Sequence, residues 1–180
     1  MKSNYKKYLL SVIIILTTIN IYAQSVSSKG NFSFGFGNSL YKDIKTKQFI
    51  MFYDVRELTA SVGNFSVNGA LNLELISHNN STTMIAGLAP IFRYDLNLGF
   101  TNTFINAGIG FNYINNHNIS SRNLGGHFIF SDMISIGASL IKTEYFTAEI
   151  SYLFRHISNA GFFHNNEGFN SQYFVLSFNM

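Results

Sequence analysis

From residue 31 onward, apolar and polar residues alternate in short segments. Phe32, Phe34 and Phe36 stand against Ser33, Gly35 and Gly37. Side chains on a strand point alternately to opposite faces, so each such run predicts one strand with one apolar face. Further on, Phe49, Met51, Tyr53 and Val55 oppose Asp54 and Arg56, and Val67, Leu71, Leu73 and Leu75 oppose Asn68, Asn72 and Glu74. Thr103, Ile105, Ala107, Ile109 and Phe111 oppose Asn106, Gly108, Gly110 and Asn112. Eight segments are predicted, at about 31–40, 47–57, 66–77, 83–95, 102–114, 125–141, 145–158 and 170–180. The sixth is irregular. Its apolar face (Phe128, Phe130, Ile134, Ile136) includes Asp132, which predicts a bulge or a break there. The connections are polar, and no helical period of useful length, fixed repeat or linker interrupts them.

A soluble β-sandwich would show the same alternation. Three features favour an all-β, eight-stranded antiparallel transmembrane β-barrel. The strand number is even, and eight is the smallest usual closed barrel. The chain ends on an aromatic strand, "YFVLSF". The first 23 residues also read as a secretory signal: Lys2, Lys6 and Lys7, then the apolar "YLLSVIIILTTINI", then "IYA" before Gln24. Cleavage after Ala23 would leave residues 24–180 as a single barrel domain. No second apolar run approaches the length of a spanning helix.

Composition changes the picture in two places. The full chain has 12 Lys+Arg and 9 Asp+Glu; three lysines lie in the signal segment, so the remainder is formally neutral. Its basic character therefore does not point to nucleic acid. The chain has no cysteine, which excludes disulfides and thiolate metal sites. His78, His117, His127 and His164 show no metal-ligand spacing with carboxylates, and no phosphate or dinucleotide motif is present. No metal and no cofactor is expected. Glu74, Glu149 and Arg155 fall on lumenal positions and read as an interior polar network.

The candidate chemistry lies near the C-terminus. Ala148, Ile150, Tyr152 and Phe154 form the apolar face of the seventh segment, and the next two positions on that face are His156 and Ser158. With both termini periplasmic, the seventh strand runs outward. His156 and Ser158 then lie on the lipid side at its outer end. Asn170 begins the eighth strand on the same face. A serine, a histidine and a third hydrogen-bonding group are the parts of a nucleophilic acyl-transfer site. The plainer alternative is that they are polar residues at a membrane interface.

The stretch "RHISNAGFFHNNEGFN" resembles the signature of the outer-membrane lipid A 3-O-deacylases, the PagL family of acyloxyacyl hydrolase-like enzymes. His156, Ser158, Asn159, Ala160, Gly161, Asn166 and Gly168 match that family's pattern at its spacing. "FINAGIGFN" and "FIFSDMISIGASL" resemble its fifth and sixth strands. The resemblance covers about 102–180 in sequence and is architectural before that. It implies Ser158 as nucleophile and His156 as general base. It also implies an oxyanion hole from the Asn166 side chain and the Gly161 backbone N–H. The implied substrate is lipid A of lipopolysaccharide, among outer-membrane lipids, cut at the 3-hydroxyacyl ester of position 3.

The sequence departs from the family pattern at Asn170, where its best-known members carry glutamate. An asparagine carbonyl can accept a bond from the His Nδ1–H but cannot stabilise imidazolium by charge. Glu167 is the alternative third member. The departure also leaves open a barrel without activity, serving as a structural or adhesive protein.

Overall fold

The computed structural model describes residues 31–99 and 101–179. The expected signal segment lies outside the described residues. Among the described residues ten strands occur in chain order: β1 (Asn31–Ser39), β2 (Lys47–Val62), β3 (Phe65–His78), β4 (Ser81–Asn97), β5 (Asn102–Ile114), β6 (Asn118–Ile119), β7 (Arg122–Asn123), β8 (Phe128–Lys142), β9 (Thr147–Ser158) and β10 (Phe169–Asn179). All but β6 and β7 close into one eight-stranded antiparallel barrel, sealed by pairing of β1 with β10. The eight predicted segments fall on these eight strands. The β6–β7 hairpin inside the β5–β8 connection was not among them.

The pleat sorts the alternating residues as expected. Asn72, Glu74, Asn112, Ser131, Ser135, Ser151 and Arg155 are buried in the lumen, while Leu71, Leu88, Ile105, Phe111, Ile134 and Phe174 are exposed on the outside. The lumen is not uniformly polar, however. Ile50, Phe52, Ala70, Ala89, Met133, Leu153, Tyr173 and Val175 pack together within it. At one end of the barrel, Ile44, Ile119 and Leu124 from the connections pack with Ile76, Ile85, Ile114, Ile129, Ile157 and Phe169 and close the mouth. That end carries the long connections 40–46, 115–127 and 159–168, whereas the end where β1 begins and β10 finishes has short turns. Outer-membrane barrels have short periplasmic turns and longer external loops, so the closed mouth faces the exterior and β9 runs outward.

The bulge expected at Asp132 is absent. β8 keeps its register through that residue, which sits opposite Ile109 on β5 and His156 on β9. The shift falls instead between Ser139 and Ile141, and a second one interrupts β2 between Val55 and Thr59. A polar residue on an apolar face need not displace the backbone when the neighbouring strand offers it a polar partner position.

The polar residues of the lumen form two networks rather than one. Arg155 Nη1 lies 3.2 Å from Glu74 Oε2, and its Nη2 donates to Asn72 Oδ1 at 3.3 Å and Asn112 Oδ1 at 3.2 Å. The Tyr173 hydroxyl donates to Glu74. Nearer the periplasm, Arg93 grips Glu149 through two bonds of 2.8 and 2.7 Å and also donates to Asp95 at 2.8 Å. This second network lines a cavity of about 570 Å³ in the periplasmic half, bounded by Asn31, Asp54, Asn106 and Ser177. Both Arg155 and Glu74 are 1% exposed. Truncating one partner of such a buried pair leaves the other charge uncompensated and costs about 3–5 kcal/mol, whereas replacing both by apolar residues is often neutral. Arg155→Met should therefore lower the temperature at which the compact gel band of the folded barrel is lost. The Glu74→Leu, Arg155→Met double variant should recover most of that loss. An unchanged transition in the single variant would show that the pair does not hold the barrel.

Candidate active site

On β9, Ser151, Leu153, Arg155 and Ile157 are buried in the lumen, so Ile150, Tyr152, Phe154, His156 and Ser158 face outward. On β10, Ser171, Tyr173 and Val175 point inward, and Asn170, Gln172, Phe174 and Leu176 point outward. The two strands pair with Asn170 directly opposite His156. On one face of an antiparallel pair, opposed Cβ atoms stand about 4.5–5.5 Å apart, close enough for short side chains to meet. Here they do: His156 Nδ1 lies 2.6 Å from Asn170 Oδ1. An amide oxygen only accepts, so Nδ1 carries the proton and donates it. In the neutral ring, Nε2 is then left with a lone pair and can act as a base.

The imidazole is held from above by Gly168. A Cβ there would come within 2.7 Å of His156 Cε1, and its φ of +62° lies in the left-handed region that favours glycine. Ser158 ends β9, opposite Phe130 of β8. Its Oγ accepts a long hydrogen bond of 3.4 Å from the Ala160 N–H. Among the described residues, no hydrogen bond joins Ser158 to His156. In free enzymes such catalytic contacts are often long and tighten when substrate binds.

The connection between β9 and β10 is organised by Asn159, a fully buried side chain that sequence reasoning left without a role. Its Nδ2 donates to the carbonyls of Leu124 at 2.8 Å and Asn165 at 2.6 Å. Its Oδ1 accepts the Gly161 N–H at 2.8 Å, closing an Asx-turn. The Gly161 amide, one of the two expected oxyanion donors, is thus engaged inside the loop in this structure. Asn166 Oδ1 accepts the Asn159 N–H at 2.9 Å, which leaves the NH2 group of Asn166 available as a donor.

Glu167 turns away from the histidine. Its carboxylate accepts the Asn123 N–H of β7. Arg122 donates to the carbonyls of Glu167 at 2.6 Å and Gly168 at 3.3 Å, and its guanidinium lies 3.8 Å from the centre of the Tyr41 ring. The β6–β7 hairpin therefore clamps the loop that covers His156. Neither Arg122 nor the hairpin was anticipated. Two-residue strands carry no readable alternation.

Beside Ser158 runs a row of aromatic rings. Phe111 and Phe130 meet edge to face at 5.3 Å, and Phe162 stacks on Phe130 at 5.6 Å. Phe128 and Phe162 are largely exposed. The remaining histidines lie elsewhere: His127 bonds the Ile114 carbonyl and packs against His117, while His78 bonds the Lys45 carbonyl. Among the described residues no group of His, Asp and Glu is arranged to hold a metal.

The sequence profile of the family described as lipid A 3-O-deacylase (PagL) matches residues 48–179. The chain belongs to the lipid A 3-O-deacylase (PagL) family. The match begins well upstream of the 102–180 region that carries the resemblance of motifs. No curated protein matches the chain at a significant level. Among solved structures it is similar to the crystal structure of the outer membrane enzyme PagL, with a TM-score of 0.63 and 21% identity over 82% of this chain and 97% of that one. It is also similar to Neisserial surface protein A (NspA), with a TM-score of 0.54 and 9% identity over 84% of this chain and 94% of that one. At these identities the likeness concerns the fold. Family membership makes the protein a lipid A deacylase, and membership with the barrel places it in the bacterial outer membrane.

Proposed function

We propose that the protein hydrolyses the ester that links a 3-hydroxyacyl chain to position 3 of lipid A, by serine catalysis at its lipid-facing surface. The observation that carries the reading is the 2.6 Å contact of His156 Nδ1 with Asn170 Oδ1, beside Ser158 and outside the barrel. In the first step Ser158 Oγ attacks the ester carbonyl and its proton passes to His156 Nε2. The tetrahedral intermediate collapses, the bond from the acyl carbon to the sugar oxygen breaks, and the imidazolium gives its proton to that oxygen, which leaves as the sugar hydroxyl. Water then attacks the acyl-enzyme with His156 again as base, releasing the 3-hydroxy fatty acid and free Ser158.

The negative charge that develops on the carbonyl oxygen needs donors. The free NH2 group of Asn166 supplies one, and the Gly161 N–H supplies another once substrate draws it from Asn159. Losing one such donor typically costs about 100- to 1000-fold. The acyl chain runs along the rings of Phe111, Phe130 and Phe162, where apolar contact orients it. An active site on the outer wall suits a substrate that is itself a membrane lipid in the outer leaflet.

The test is mass spectrometry of lipid A from cells expressing the protein. Loss of one 3-hydroxyacyl unit, mapped by fragmentation to position 3, is the expected result. Loss from another position would overturn the regiochemistry, and unchanged lipid A in membranes containing folded protein would overturn the activity.

A further inference from the structure

Asn166 stands in an exposed stretch without helix or strand. A donor stabilises developing charge best when it is already in place, and ordering a loop costs entropy. The segment 122–125 touches both chain neighbours of Asn166. On the C-terminal side, the Glu167 N–H donates to the Asn123 carbonyl at 3.2 Å, and the Asn123 N–H donates back to the Glu167 carboxylate. Arg122 holds the Glu167 and Gly168 carbonyls. On the N-terminal side, the Asn165 carbonyl comes so close to Gly125 that a Cβ there would lie 2.0 Å from its oxygen. The φ of Gly125 is +77°, so both space and backbone conformation call for glycine.

The hairpin can hold the loop because it is itself anchored. Ile119 of β6 and Leu124 just after β7 are buried in the apolar cap, and the Leu124 N–H donates to the His117 carbonyl at 2.9 Å to close the base of the hairpin. The Arg122 guanidinium rests on the Tyr41 ring, which packs on the same cap beside Phe169 with ring centres 5.8 Å apart. A planar guanidinium stacked on an aromatic face keeps its fork of donors pre-oriented. Three external connections therefore meet at Arg122: 40–46, 115–127 and 159–168.

We infer that Arg122 is a positioning residue for the reaction and that it acts through Asn166. This rests on the serine mechanism proposed above. Among the described residues Arg122 bonds neither Ser158 nor His156; its contacts are the two loop carbonyls and the Tyr41 ring. With Asn165 and Glu167 both fixed against the hairpin, the NH2 group of Asn166 meets the oxyanion without reorganising in each turnover. The charge on that oxygen develops only in the transition state. The effect of Arg122 therefore falls on kcat rather than on KM.

The experiment is a double-mutant cycle on kcat and KM for deacylation by detergent-solubilised full-length protein. A misplacement of about 1 Å caused by a change away from the chemistry can cost about 100-fold, so Arg122→Ala should lower kcat by about 10- to 100-fold with KM nearly unchanged. In the Asn166→Ala background the same change should cost less than about threefold, because the group it positions is gone. Arg122→Lys keeps the charge without the fork and should recover part of the rate. Tyr41→Leu keeps the cap apolar and removes the ring beneath the guanidinium; it should show a smaller loss with the same dependence on Asn166. These two variants carry the cycle if Arg122→Ala does not give the compact gel band of the folded barrel. Full activity in the Arg122 and Tyr41 variants, a loss that appears in KM, or an equal loss with and without Asn166 would overturn the inference. Activity retained by Ser158→Ala would instead overturn the serine mechanism beneath it.

Discussion

Ser158→Ala should abolish deacylation while leaving the barrel folded. In a serine hydrolase, removal of the nucleophile or of its histidine alone costs up to about 10⁶-fold in turnover, because the two act as a unit. His156→Ala should fall equally far, and the double variant should be no worse than either. Neither side chain packs in the lumen, since both point outward from β9. The compact gel mobility and β-rich circular dichroism of the folded protein should therefore persist in all three variants. A serine-directed phosphonate ester should label wild-type protein at Ser158 and fail to label Ser158→Ala. Wild-type turnover in Ser158→Ala would remove this residue from the reaction altogether.

The second large effect is expected at Asn170. Without its carbonyl, His156 loses the bond that fixes both its tautomer and its rotamer. In a serine protease, putting the ring in the wrong tautomer costs about 10⁴-fold. Part of that figure is the lost carboxylate charge, which Asn170 never supplied, so Asn170→Ala should cost nearer about 1000-fold, mostly in kcat. Asn170→Glu should be tolerated and should raise turnover, because it restores charge to the same hydrogen bond. Glu167→Gln should matter little, because its carboxylate serves the Asn123 N–H rather than the histidine. Turnover of the three variants on one lipid A preparation decides the point. A large loss in Glu167→Gln with full activity in Asn170→Ala would reverse the assignment.

The barrel was legible because each spanning strand must show lipid one face, and the period of two survives in the residues themselves. That is why β1, β5, β9 and β10 were read within a residue or two of their ends. What the pattern could not carry was information held between strands. Asp132 looked like a defect when β8 was read alone, and only the register places it opposite His156. The bulge after Ser139 sits where exposed residues follow one another without contrast. Lumenal Ile50, Phe52 and Leu153 were harder still, since a narrow barrel fills its interior with whatever side chains fit. At the site, parity and motif together brought His156, Ser158 and Asn170 to one face. The separation of Glu167 from His156 depends on the β6–β7 hairpin, and the engagement of the Gly161 amide depends on Asn159. Both are tertiary arrangements that leave little trace in the order of residues.

The apolar cap and the Glu74–Arg155–Tyr173 layer beneath it have a consequence for the cell. They fill the external mouth and the middle of the lumen, so the periplasmic cavity is a dead end. Among the described residues, these two layers stand across the path that ions and small solutes would take. Many copies can therefore sit in the outer membrane without adding conductance to it. The enzyme can remodel the lipid that makes this membrane a permeability barrier without itself becoming a leak.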